Sequence, residues 1–184
     1  MAEIIPLFPY FCIMDLDYQE LLPKDFHSSS RVWIYQTNRR FMLSEVLAVE
    51  EMLNEFVEKW NAHGSAVKGF ATVFFGQFVI LMADETQTGV SGCSTDSSVR
   101  VIKAIEQRFN ISLFDRQLLA FVQKEKIELL PLSQMQYAVD NGFITPDTLY
   151  FNNIVQNKQE LEQNWIVPVS KSWLAKKLSF SVPQ

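Results

Sequence analysis

The chain of 184 residues contains only two cysteines, Cys12 and Cys93, and two histidines, His27 and His63. Two thiols cannot build the disulfide framework of a small secreted domain, and without a CxxC pair they offer no four-ligand zinc site. The expectation is a cytoplasmic protein with no metal and no cofactor. Basic residues are also in short supply, with 16 Lys and Arg against 21 Asp and Glu for a formal net charge of −5. Tight binding to a phosphate backbone needs clustered positive charge, so this balance argues against a nucleic-acid partner. No apolar run is long enough for a membrane span. The stretch nearest to a targeting signal, Ile4 to Met14, follows Glu3 instead of a basic region, contains Pro6 and Pro9, and lacks a small-residue cleavage site. It reads as a tail, with Met14 as an alternative start.

What remains is an ordinary globular composition, 48% hydrophobic and 20% charged, sufficient for one core. No Pro/Gly/Ser linker or charge run divides the chain. Residues 1–29 are read as an N-terminal tail and 30–184 as a single domain, with a core over about 30–131 and an extension over 132–184.

Arg31 to Gln36 alternates in a β-rich run and predicts a first strand. Ser44 stands as an N-cap before Val46, Val49, Leu53, Phe56, Val57 and Trp60, which recur at helical spacing until His63-Gly64. Two β-type runs follow, Val67 to Phe75 and Phe78 to Ala83, joined by Gly76-Gln77, a pair suited to a two-residue turn with glycine first. Asp96 is placed to cap a second helix through Val99, Ile102, Ile105 and Phe109, and Leu118 to Gln123 turns into Ile127 to Leu130. The resulting fold class is α+β, a ferredoxin-like βαββαβ core with a C-terminal α/β extension. The extension holds a short helix from Ser133 to Asn141 stopped by Gly142, a strand-like Thr148 to Val155, a helix from Lys158 to Asn164, and Trp165 and Trp173.

The segment from Gly89 to Ser98 is small and hydroxyl-rich and leads into a helix, where free amides and the helix dipole can bind an anion or activate a thiol. Candidate ligand-binding residues are Gly92, Ser94, Asp96 and Ser97, and the candidate catalytic set is Cys93 as nucleophile, His63 as base and Asp84 to orient it. Plainer readings stand beside these. Asp96 as a capping carboxylate would occupy the amides and raise the thiol pKa, His63 would be a histidine at a helix C-terminus, and Asp84 and Glu85 would be solvated. Topology favours convergence: in a βαββαβ chain the end of the first helix, the end of the third strand and the start of the second helix share one end of the domain.

Placing Val32 and Ile34 toward the helices puts Trp33 and Tyr35 on the other face, near Arg31, Arg39 and Arg40. Such a face suits base stacking in single-stranded RNA or a homodimer contact. The favoured expectation is that the chain's own Leu149, Phe151, Trp165 and Trp173 cover it.

The segments Arg31-Val-Trp-Ile-Tyr-Gln-Thr-Asn-Arg39, Trp60-Asn-Ala-His63-Gly64, Ser91-Gly-Cys93-Ser-Thr-Asp96-Ser-Ser98, Phe151-Asn-Asn153 and Asn164-Trp165 resemble those of a family of small bacterial proteins without assigned chemistry. Several members carry the label "ABC transporter ATPase". The residues do not support that label. A P-loop needs GxxxxGK[ST], and the nearest match, Gly64-Ser-Ala-Val-Lys-Gly69-Phe70, lacks both the lysine and the hydroxyl. The leading expectation is a non-catalytic cytosolic interaction or regulatory protein, with a protein partner or a second copy. The alternatives are a small-ligand binder or enzyme built on Cys93 and His63, and a single-stranded RNA binder.

Overall fold

The computed structural model describes residues 16–62, 65–86, 89 and 92–180, with the side chains of residues 62, 93 and 94 excepted. The first strand, β1 (Arg31–Gln36), forms at the bounds its alternation predicts. It pairs antiparallel with β5 (Phe78–Asp84), which pairs on its other side with β4 (Lys68–Phe74). Every residue of β5 is buried. A central strand covered on both faces reads as the continuous apolar run seen here. Helices α1 (Leu43–Glu58) and α2 (Gly92–Phe109) cover one face through Val49, Leu53, Ile102 and Ile105, all fully buried. Between α1 and β4 lies a small hairpin, β2 (Asn61–Ala62) with β3 (Ser65–Ala66).

The local signals differ from expectation at three termini, each for a visible reason. Glu45, not Ser44, anchors the start of α1: its Oε2 accepts the Met42 N–H at 2.8 Å, and Arg39 grips the same carboxylate at 2.7 and 2.8 Å. The turn between β4 and β5 begins one residue earlier than Gly76-Gln77, because Phe75 and Gly76 hold φ of 57° and 62° and the Gln77 N–H closes on the Phe74 carbonyl at 3.0 Å. Paired left-handed residues mark a type I′ turn, which follows the strand twist. Helix α2 begins at Gly92, so Asp96 is an exposed residue inside the helix and not its cap.

The faces of the first sheet are exchanged relative to expectation. Trp33 and Tyr35 point to the helices, Trp33 against Trp60 at 6.0 Å and Tyr35 against Phe114 at 5.4 Å between ring centroids. Val32 and Ile34 line the opposite face with Phe74, Phe78, Ile80 and Met82. Period-two alternation separates two faces but does not say which meets the helices, and here both are apolar. Of the four C-terminal residues expected to cover the second face, Trp173 packs elsewhere, with Leu119 and Phe121. The chain still covers that face itself, with two of the four, Phe151 and Trp165, and with Leu161. Tyr18, Leu22 and Phe26 join them, so the chain from residue 16 onward contributes to the core; residues 1–13 lie outside the described residues.

The ferredoxin-like expectation places the next strand beside β1. Instead β6 (Leu118–Gln123) pairs with β7 (Lys126–Pro131) and β8 (Leu149–Phe151), and β8 pairs with β9 (Ile166–Pro168), giving a second antiparallel sheet in the order β7-β6-β8-β9. The edge of β1 is taken by another segment. The Val32 N–H donates to the Gln156 carbonyl at 2.9 Å, and Arg31 bridges to Asn157. Asn157 then caps α4 (Lys158–Asn164), its side-chain oxygen accepting the Glu160 N–H at 2.9 Å. Strand β6 is apolar on both sides: Ala120 faces the first sheet, while Leu119 and Phe121 face α3 (Met135–Asp140) and the C-terminal turns. The layers are α1 and α2, first sheet, second sheet, then α3. The architecture is mixed α/β with antiparallel sheets.

Between the sheets runs a hydrogen-bonded chain. The Gln36 side-chain amide donates to the Leu118 carbonyl at 3.0 Å and its oxygen accepts Asn153 Nδ2 at 2.8 Å, while Asn153 Oδ1 accepts the Trp165 indole N–H at 3.0 Å. Asn153→Ala removes the partner of both Gln36 and Trp165, at about 1–3 kcal/mol for each stranded group. Denaturant unfolding should show the midpoint falling accordingly, by more than for an exposed control such as Asn54→Ala, and an unshifted midpoint would refute the role. Leu53→Ala, at a fully buried site, should cost about 2–5 kcal/mol in the same assay.

Candidate functional site

Of the three candidate catalytic residues, Asp84 alone has a described side chain. It ends β5, opposite Lys68 at the start of β4, and is 3% exposed. Its Oδ1 accepts the Thr86 N–H at 3.1 Å and hydroxyl at 2.8 Å; its Oδ2 takes Lys68 Nζ at 3.2 Å and the His27 N–H at 3.4 Å. Burial pushes the carboxyl pKa up, but the bonds from Thr86, Lys68 and His27 outweigh it and hold the group at about 2. Asp84 is therefore an ionised clamp and not the solvated strand-end residue of the plainer reading. Lys68 carries the clamp outward, pairing with Asp25 at 2.9 Å and lying 4.7 Å from the Phe26 ring centroid. It fastens the segment around residues 25–27 to the ends of β4 and β5.

His63 lies outside the described residues. Gly92 and Cys93 begin α2, with Ser94, Asp96 and Ser97 in its first two turns; Asp96 is exposed and Ser97 half-buried. Deeper in that turn the buried Ser98 hydroxyl donates to the Thr95 carbonyl at 2.7 Å. The β2–β3 hairpin, the end of β5 and the start of α2 share one end of the first sheet, since β3 leads directly into Lys68 opposite Asp84 and the end of α1 flanks Ser97. Among the described residues, no group of three or more His, Cys, Asp and Glu is placed to hold a metal ion.

An apolar recess lies elsewhere, on the outer side of the second sheet. A cavity of about 530 Å³ opens between β7 and α3. Its floor is Leu130, Ala138 and Ile144, its walls are Tyr137 and Phe143, and Lys124, Lys126 and Glu128 stand at the rim. Local backbone rules build it. Lys124 and Glu125 hold φ of 46° and 62°, forming the tight turn that folds β7 back along β6. Gly142, at φ 70°, ends α3, and the N–H groups of Phe143 and Ile144 both return to the Ala138 carbonyl. That reversal turns Ile144 into the core at 1% exposure and leaves Phe143 outside at 65%, beside Tyr137 at 70%. Among the described residues no strand pairs with the outer edge of β7. The helix and its Gly142 stop are legible in the sequence, whereas the role of these aromatics is not. The available signal was two large rings at solvent-facing positions around a helix whose inward positions are Met135 and Ala138.

No protein-family model matches the chain, and no curated protein and no solved structure is significantly similar to it.

The Asp84 clamp makes a pH prediction. Because the folded pKa is depressed from 3.8 to about 2, its stabilisation is present above pH 4 and is lost as the pH falls through 2. Asp84→Asn should lower stability near neutral pH by about 1–3 kcal/mol. The gap from the unsubstituted chain should narrow toward pH 2. Thermal melts across that range check it; a gap independent of pH would show that the carboxylate charge is not what holds Lys68 and His27.

Proposed function

We propose that this chain is a non-catalytic interaction protein of the cytoplasm, which docks an extended segment of a partner protein in the groove between β7 and α3. The single observation that carries this reading is the conjunction of an apolar recess, two exposed aromatic walls and an edge strand with open backbone. An edge strand presents N–H and C=O groups that an added strand can satisfy, while a neighbouring pocket selects a side chain. A recess of about 530 Å³ accommodates a large apolar side chain, and exposed Tyr and Phe are the residue types that anchor such contacts. The likeness to small bacterial proteins without assigned chemistry is compatible with this role. The alternative built on Cys93 and His63 has less support, because Asp84, assigned to orient the histidine, is committed to Thr86, Lys68 and His27.

Selection from a random peptide display library on the immobilised chain tests the proposal. Enriched peptides should carry one bulky apolar residue in an extended context, slow amide exchange over residues 126–131, and bind at least about 10-fold more weakly to Phe143→Ser. Enriched peptides that bind Phe143→Ser and Tyr137→Ser as well as the original chain, or a selection that yields no binder, would sink the proposal.

A further inference from the structure

From the outer faces of α1 and α2 we infer a second interface, a self-complementary surface that pairs two copies of this chain about a two-fold axis. The two helices lie side by side over the first sheet and run in opposite directions. The end of α1, at Phe56 and Lys59, flanks Ser97 and Val101 near the start of α2, while Phe41, just before α1, meets Phe109 at the far end of α2 at 6.2 Å. Their exposed charges are segregated. On α1 the outward charges are Glu51, Glu55 and Glu58, followed by Lys59; on α2 they are Asp96, Arg100, Lys103 and Arg108.

The levels of these charges along the helices decide the matter. With Phe56 level with the Ser97 to Val101 turn, and opposite helices advancing in opposite directions at 1.5 Å per residue, Lys59 is level with Asp96, Glu55 with Arg100 and Glu51 with Lys103. At the levels of Glu55 and Glu51 the two helices carry opposite signs, and at the remaining level Glu58 and Lys59 together face Asp96. A two-fold axis parallel to the helices and midway between them lays α1 of one copy over α2 of the other without changing level. Each pairing then forms twice. Exposed Leu47, at 66%, falls at the level of Arg108, whose aliphatic stem it can cover. A shallow groove of about 380 Å³ between the helices, floored by Met52, Phe56 and Val101, lies on this axis and faces its counterpart in the second copy.

Within one chain these charges point outward, and among the described residues none forms an ion pair from one helix to the other. Among the described residues Glu51, Arg100 and Lys103 form no ion pair, and Glu55 reaches only Lys59, at 3.6 Å. The other acidic residues of α1 are engaged inward, Glu45 by Arg39 and Glu50 by the Thr72 hydroxyl and the Val73 N–H. A contact made mostly of solvent-edged ion pairs is weak and salt-sensitive.

Sedimentation equilibrium at high protein concentration tests the inference. At low ionic strength the mass should approach twice the 21.3 kDa of the chain, falling toward the single-chain value at about 1 M salt, where the screening length is about 3 Å. The doubly substituted chains Glu51→Lys/Glu55→Lys and Arg100→Glu/Lys103→Glu should each dimerise at least about 10-fold more weakly, since each places like charges face to face. Mixed one to one, they should form a heterodimer, because at the Glu51 and Glu55 levels each α1–α2 contact between them joins opposite signs. A single-chain mass for the unsubstituted protein at low salt, self-association untouched by either reversal, or variants that stay separate on mixing would each overturn the inference. Phe143→Ser, on the opposite side of the molecule, should dimerise like the unsubstituted chain, which keeps this outcome distinct from that of the β7 groove.

Discussion

The burial of one indole organises this molecule. Trp165 is fully buried, with Tyr18, Phe78 and Phe151 at 4.7, 5.3 and 5.6 Å between ring centroids, so it touches the N-terminal segment, the first sheet and the second sheet together. A buried indole brings a large apolar area and one N–H that must find an acceptor. Asn153 supplies the acceptor, and its amide nitrogen goes on to Gln36. The register between the sheets is thus set by a directional contact inside a non-directional one: aromatic packing gives cohesion, and the hydrogen-bonded chain fixes the relative position of β1 and the loop after β8. Several of the segments singled out in the sequence, including Gln36, Phe151 to Asn153 and Trp165, meet at this junction. Their pattern is one that packing and buried hydrogen bonds require, and it does not by itself call for a reaction.

Much of this was readable from the residues, and the limits have physical causes. Strand β1 and helix α4 fall at their expected bounds because local signals agree: alternation in the first, and an Asn157 cap with an apolar Leu161 in the second. The exchange of faces in β1 was not readable, since Val32, Trp33, Ile34 and Tyr35 are all apolar and all packed. The fate of β6 was also hidden. A strand apolar on both sides suits the edge of one sheet or the interior of another, and the choice depends on residues 156 and 157 occupying β1, more than thirty positions further along. Short β9 pairs only three residues with β8 and leaves little trace in local propensity.

The candidate site was less legible than the fold. Asp84 was picked out for its place at a strand end, and it does sit at a junction, but its partners Thr86, Lys68 and His27 come from segments that no motif connects. A carboxylate beside a turn is usually wet, which suggests a solvated or catalytic role; four accepted hydrogen bonds reverse that. The β7–α3 groove was missed for the opposite reason. Tyr137 and Phe143 looked like two more apolar residues in a chain that is 13% aromatic, and only the reversal at Gly142 separates Phe143 from its buried neighbour Ile144.

The layer order connects the two proposed surfaces. Helices α1 and α2 form one outer layer and α3 belongs to the other, with both sheets between them. A pairing through α1 and α2 leaves the β7 groove of each copy facing away from the axis, so self-association and docking do not compete for area. Two grooves held at a fixed separation also act differently from two free ones. A partner carrying two docking segments, or itself a dimer, binds its second site at an effective concentration set by the linker, which can raise avidity by about 10²–10⁴ when the span matches. A shallow groove with one apolar anchor is a weak site alone. Under the proposed pairing, its placement opposite the α1–α2 face would let a small chain gain strength without a deeper pocket, and charge pairing on the first layer would then control binding on the last.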